Sequence, residues 1–128
     1  TMPLKLAAFD VAETVTDTAR AARAVNTLVR TGTGWAGDNT DVHGVTTALR
    51  EGGSSDVASA TIIGSGATAR SALLGLVGLG ARRITVAART PERAEALRDV
   101  AEVDLVVVPL ADWPSTGDLA FVSTLPAP

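Results

Sequence analysis

Cysteine is absent from the 128 residues, and so is tyrosine. Without thiols there is neither a disulfide framework nor a thiolate metal site. Aromatic side chains make up 3% of the chain, too few for a row of stacking platforms. Trp35 and Trp113 therefore read as packing residues. The only histidine, His43, has no second imidazole with which to share a metal and reads as an exposed or packed helix residue. A formal net charge of −3 gives no general attraction to nucleic acid or to an anionic membrane. No apolar run is long enough to span a bilayer; the apolar part of 71–79 is too short and suits a buried helix. No secretory signal opens the chain, and a cytoplasmic location is the expectation.

What the chain does have is a hydrophobic content of 46%, enough for a packed core, and one stretch that organises the rest. Thr61-Ile62-Ile63 is a short β-branched strand. Gly64-Ser65-Gly66-Ala67-Thr68-Ala69 follows as Gly-x-Gly-x-x-Ala, and a helix of small residues runs to about Leu79. Gly64 permits a tight turn at positive φ, Gly66 lets the backbone lie against a pyrophosphate, and Ala69 lets the helix sit close on the strand. The helix N-terminus adds unpaired N–H groups and a partial positive charge. An ordinary glycine-rich turn could look the same, but Arg82–Ala87 follows as the second strand of a βαβ unit, which points to dinucleotide binding.

The end of that second strand bears on the choice of nucleotide. An NAD site usually has an acidic residue there for the ribose 2′-hydroxyl. This chain has Arg89 and Thr90, with Arg93 a turn further on. Guanidinium groups hold a 2′-phosphate where a carboxylate would repel it, so NADP is favoured over NAD. Thr90-Pro91-Glu92 is also a good helix start with proline at the first position, and both readings can hold together.

The pattern elsewhere gives a helical stretch from Leu6 to about Asp10 and a helix 19–23 capped from 16–18. A hairpin of 25–30 with 35–37 turns through 31–34. A helix over 42–50 is capped by Asp38-Asn39-Thr40-Asp41, and Glu51–Ser55 is a linker. After Arg93 the helix continues to about Asp99, then strands lie at 103–108 and 119–123. Near-continuous apolar strands alternating with helices predict an α/β fold with a parallel sheet buried on both faces, Rossmann-like and doubly wound. The tail of a smaller α/β substrate domain (residues 1–40) precedes the nucleotide domain (41–128). Thr1–Lys5 reads as a strand end running into a helix, and both ends look cut, so a fragment is expected.

Of the 11 lysine and arginine residues only Lys5 is a lysine. An ammonium can give up its proton where a guanidinium cannot, so a proton-transfer role follows, against the alternative of an ordinary surface lysine. Asp41 is either a capping residue or the carboxylate partner of Lys5.

Thr1-Met2-Pro3-Leu4-Lys5, Ala24-Val25-Asn26-Thr27, Asp38-Asn39-Thr40-Asp41-Val42-His43-Gly44, the glycine turn and Ala88-Arg89-Thr90-Pro91-Glu92-Arg93 occur in that order. Together they resemble the quinate/shikimate dehydrogenase family along essentially the whole chain. The resemblance implies NADP-dependent reversible reduction of 3-dehydroshikimate to shikimate by a monomer or homodimer. Lys5 and Asp41 would be catalytic, with Thr1, Asn26 and Asp41 on the small-molecule substrate. Gly64, Ser65, Gly66, Ala67, Thr68, Ala69, Arg89, Thr90, Arg93 and Thr124 would bind the cofactor. The family also has substrate-domain strands before these residues, a glutamine-bearing part after them, and often asparagine where Ala88 stands. Quinate specificity, or a dinucleotide-binding module without catalysis, are the alternatives.

Overall fold

A computed structural model describes residues 3–114 and 117–126. Pro3 and Leu4 form a turn rather than a strand end. They lead into α1 (Lys5–Val11), followed by β1 (Thr14–Val15) and α2 (Asp17–Ala22). Thr16 caps α2 by accepting from the Ala19 N–H at 3.2 Å, and Arg23 ends it in the left-handed region at φ 49°. β2 (Thr27–Arg30) and β3 (Trp35–Asp38) form the expected hairpin, with Arg30 opposite Trp35. The Arg30 guanidinium lies over the Trp35 ring, 5.4 Å from its centroid.

β1 pairs parallel with β3, so the first sheet has the order β1-β3-β2. At two residues β1 is too short to show a period of two, and the sequence pattern does not reveal it.

α3 (Asp41–Glu51) starts as the 38–41 cluster predicts, but its cap comes from Asn39. That side chain's Oδ1 accepts the Asp41 N–H at 3.1 Å, whereas Thr40 makes no side-chain cap. The linker after it closes the helix, with the Ser54 N–H donating to the Leu49 carbonyl at 2.8 Å.

β4 (Ser59–Ile63), α4 (Ala67–Gly78) and β5 (Arg83–Ala88) then form the βαβ unit. α5 (Pro91–Ala94) continues as a 3-10 helix over Glu95–Asp99 rather than as α-helix. The tighter turn keeps Leu97 and Val100 in the core. β6 (Asp104–Pro109) and β7 (Ala120–Ser123) complete a second, wholly parallel sheet of order β6-β5-β4-β7.

The core lies between that sheet and its helices: Val57, Ile62, Leu73, Leu76, Ile84, Val86 and Leu97 are essentially inaccessible. Burial on both faces holds for β4 and β5 but not for β7, an edge strand here, where Phe121 is half exposed. Trp113 packs edge-on to Phe121 with ring centroids 5.8 Å apart, and His43 is exposed on α3. Among the described residues no helix is long and apolar enough to cross a membrane.

From β4 the chain steps to β5 and β6 on one side and then returns to β7 on the other. The strand order therefore reverses beside β4, and the carboxyl ends of β4 and β7 flank the crevice where open α/β sheets bind ligands.

Candidate active site in the cleft at the carboxyl ends of the strands

Gly64 follows β4 at φ 119°, a conformation open to glycine and strained for other residues. Its N–H donates to the Ala87 carbonyl at 2.9 Å. A Cβ added at Gly64 would strike the Thr124 Oγ1. Thr124 in turn donates both its N–H (2.9 Å) and its hydroxyl (3.0 Å) to the Ile63 carbonyl. The end of β7 thus clamps the glycine turn, and only a residue without a side chain fits between them. Gly66 is the N-cap of α4 and supplies no side-chain cap, so no capping side chain competes for the first-turn N–H groups.

A cavity of about 760 Å³ opens above this turn. Gly64, Ser65, Gly66 and Ala67 line its floor, Arg89, Thr90 and Arg93 one wall, Thr124 another, and Lys5 reaches it from α1. Its charged lining is Lys5, Arg70, Arg89 and Arg93 against one carboxylate, Glu92. Arg70, Arg89 and Arg93 make no ion pair among the described residues. In a chain of net charge −3, a cavity lined by uncompensated cations suits an anionic ligand.

Arg70 was not among the residues singled out from the sequence. Its spacing of four from Gly66 puts it one helical turn in, on the same side of α4. Burial, and secondly the neighbouring Arg23 guanidinium, lower its pKa from the ordinary arginine value, with Asp99 opposing. Thr68 and Ala69 do not line the cavity. Ala69 is fully buried and packs the helix on the sheet.

Lys5 is 7% exposed. Its backbone is fixed by the Val25 N–H, which donates to the Lys5 carbonyl at 2.9 Å. Its Nζ donates to the Asp41 Oδ2 at 2.5 Å and to the Thr68 Oγ1 at 3.1 Å. The other Asp41 oxygen accepts from the Asn26 Nδ2 at 2.7 Å. Asn26 is itself held, its Oδ1 accepting the Thr40 N–H at 3.1 Å. Asp41 therefore sits in the first turn of α3, as its capping alternative would have it, while its carboxylate faces Lys5. Thr1 lies outside the described residues.

A parallel sheet with a glycine turn at its switch point defines a Rossmann-like α/β protein, and a part-buried ammonium–carboxylate pair lies beside the same crevice. A model of the family described as shikimate / quinate 5-dehydrogenase matches residues 46–126, and the chain belongs to that family. The shikimate dehydrogenase (NADP(+)) of Xanthomonas campestris pv. campestris (strain 8004) is 43% identical over 101 residues, covering 77% of this chain and 36% of the relative. The crystal structure of Mycobacterium tuberculosis shikimate dehydrogenase superposes with a TM-score of 0.81 at 37% identity, covering 98% of this chain and 49% of that one. Shikimate 5-dehydrogenase from Thermus thermophilus, solved in complex with NADP(H) and shikimate, gives 0.80 at 32% identity over 98% of this chain and 46% of that one. The chain thus spans about half the length of these solved structures, or less.

Proposed function

We propose that the complete protein catalyses the NADP-dependent, reversible reduction of 3-dehydroshikimate to shikimate in aromatic amino acid biosynthesis. In this reading residues 1–40 belong to a substrate-binding lobe and residues 41–128 to a nucleotide-binding lobe. The observation that carries it is the shared cleft, where a glycine turn fit for a pyrophosphate and a part-buried Lys5–Asp41 pair meet. The names and bound ligands of the relatives agree with it.

The residues present fit the nucleotide. Gly64 to Ala67 and the open end of α4 would hold the pyrophosphate. Arg89, Thr90 and Arg93 would take the 2′-phosphate, where a planar guanidinium offers paired donors. Thr124 would border the nicotinamide side. When bound, the cofactor supplies the hydride that adds to the ketone carbon of the substrate. Lys5 gives a proton to the oxygen that becomes the hydroxyl, and Asp41 keeps the ammonium aimed. Asn26 orients Asp41, and Asn26 and Asp41 would also meet the substrate hydroxyls, together with Thr1. The two lobes exclude water from the cleft.

The test is a steady-state assay of the complete protein with shikimate and with quinate, each with NADP and with NAD. Turnover of shikimate with NADP is expected, and its absence would overturn the reading. Lys5→Ala should abolish turnover while NADP still binds; unchanged turnover would remove Lys5 from the chemistry, whereas NADP binding without any turnover in the wild type would leave only a binding module. Arg89→Ala should weaken NADP binding about tenfold or more, the scale of one charge-assisted hydrogen bond, and leave NAD unaffected. The family description names both shikimate and quinate; faster turnover of quinate would transfer the assignment to that substrate.

A further inference from the structure

We propose that Thr68 is a positioning residue for Lys5: its hydroxyl, carried on the first turn of α4, fixes the direction of the ammonium at the cleft. The inference rests on the catalytic reading of Lys5. By its place in the glycine turn Thr68 looks like a nucleotide contact, but the geometry points elsewhere. Its side chain does not line the cavity, and its Oγ1 accepts from the Lys5 Nζ at 3.1 Å.

An ammonium has three donors and no acceptor. One goes to Asp41 on α3 and one to Thr68 on α4, two helices packed on each other. Lys5 is 7% exposed and still reaches the cavity. With two donors spent on fixed acceptors, tetrahedral geometry directs the third into the cleft, where a substrate oxygen would accept it. Asp41 alone would leave the ammonium free to swing about a single contact.

Thr46 on α3 spends its hydroxyl on its own helix, donating to the Val42 carbonyl at 2.9 Å. Thr68 is instead used across 63 residues of sequence, between α1 and the helix whose N-terminus faces the glycine turn. The aim of Lys5 is thereby tied to the nucleotide side of the molecule.

The experiment compares Thr68→Val, which keeps the shape and removes the acceptor, with Thr68→Ser, which restores it. Two readouts are taken on the complete protein. The first is the acylation rate of Lys5 by an amine-reactive ester at fixed pH, resolved by peptide mass spectrometry. The second is the split of kcat from the KM and Kd for NADP. Thr68→Val should acylate at least threefold faster and lose about tenfold in kcat, the scale of one hydrogen bond to a charged group. Its NADP affinity should stay within about twofold, and Thr68→Ser should restore both readouts.

Unchanged acylation in Thr68→Val would overturn the proposal. So would a loss confined to NADP affinity, which would return Thr68 to the nucleotide. Acylation does not depend on turnover. If the wild-type protein fails to oxidise shikimate but the acylation pattern appears, the substrate assignment fails while the Thr68–Lys5 link stands.

Discussion

At the scale of single residues, the site depends on positions where one side chain, or the lack of one, is forced by its neighbours. Gly64 is the sharpest case. Its φ of 119° is open to glycine alone, and its missing Cβ leaves the space that the Thr124 hydroxyl occupies. Gly64→Ala must strain the backbone and also push Thr124 from the Ile63 carbonyl, to which it donates twice. Strain of this kind costs about 1–3 kcal/mol. The expected outcome is a fall in thermal midpoint of several degrees with nucleotide binding lost, measured by calorimetry and by titration with NADP. Retained stability and affinity would show that the turn can rearrange. The glycine's role was readable from its spacing after a β-branched strand. The clamp by Thr124 was not, because nothing local marks a residue so far along the chain as a neighbour of the turn. Lys5 was conspicuous by composition alone. Arg70 was not, because one arginine among many carries no signal until its cavity is seen.

At the scale of elements, α3 and α4 decide how the lysine–carboxylate pair meets the glycine turn. α4 presents Gly75 to α3, and a Cβ there would lie 3.2 Å from the Val42 carbonyl oxygen and 3.2 Å from the Val45 side chain. Helices approach this closely only over a residue without a side chain. Replacing Gly75 with leucine forces α3 outward, and overpacking of this sort costs about 1–3 kcal/mol. Because Asp41 opens α3 and Thr68 lies in the first turn of α4, the same change should loosen the Lys5 contacts. Gly75→Leu is therefore expected to lower both the unfolding midpoint and kcat, measured by denaturant titration and by assay at a temperature where the variant stays folded. A variant that loses stability but keeps full kcat would separate the packing of the two helices from the aim of Lys5. The elements themselves were largely legible in the sequence. The βαβ unit, the hairpin and α3 follow from apolar period and turn residues. β1 and the 3-10 continuation of α5 do not, since so short a strand has no period and the choice between α and 3-10 is made by packing of Leu97 and Val100.

At the scale of the whole molecule, the two sheets are joined through Asn39, a buried polar side chain at 2% exposure. Its Nδ2 donates to the Ala24 carbonyl at 3.0 Å and to the Ser71 hydroxyl at 3.0 Å. Its Oδ1 accepts the Asp41 N–H at 3.1 Å and lies 3.3 Å from the Ser71 Oγ. One amide thus ties the chain between α2 and β2, the start of α3 and the middle of α4. The sequence showed Asn39 only as a member of a capping cluster; that it spans two sheets depends on Ser71, which the apolar run 71–79 made look like plain core. Asn39→Ala would leave the Ala24 carbonyl, the Ser71 hydroxyl and the Asp41 N–H without this partner. Each buried polar group so orphaned costs about 1–3 kcal/mol unless water enters. Ser71→Ala removes one contact and leaves the amide its other partners, so it should cost about 1 kcal/mol, the usual net value of one hydrogen bond. The expected order of stability in denaturant titration is wild type, then Ser71→Ala, then Asn39→Ala by a clear margin. If Asn39 serves only to cap α3, Asn39→Asp should match wild type, since a carboxylate caps equally well. If it joins the two sheets, Asn39→Asp should fall with Asn39→Ala, because a buried carboxylate has no donor for the Ala24 carbonyl. Hydrogen exchange at the Asp41 and Val25 amides would then report the loosening on the side of the molecule that carries Lys5.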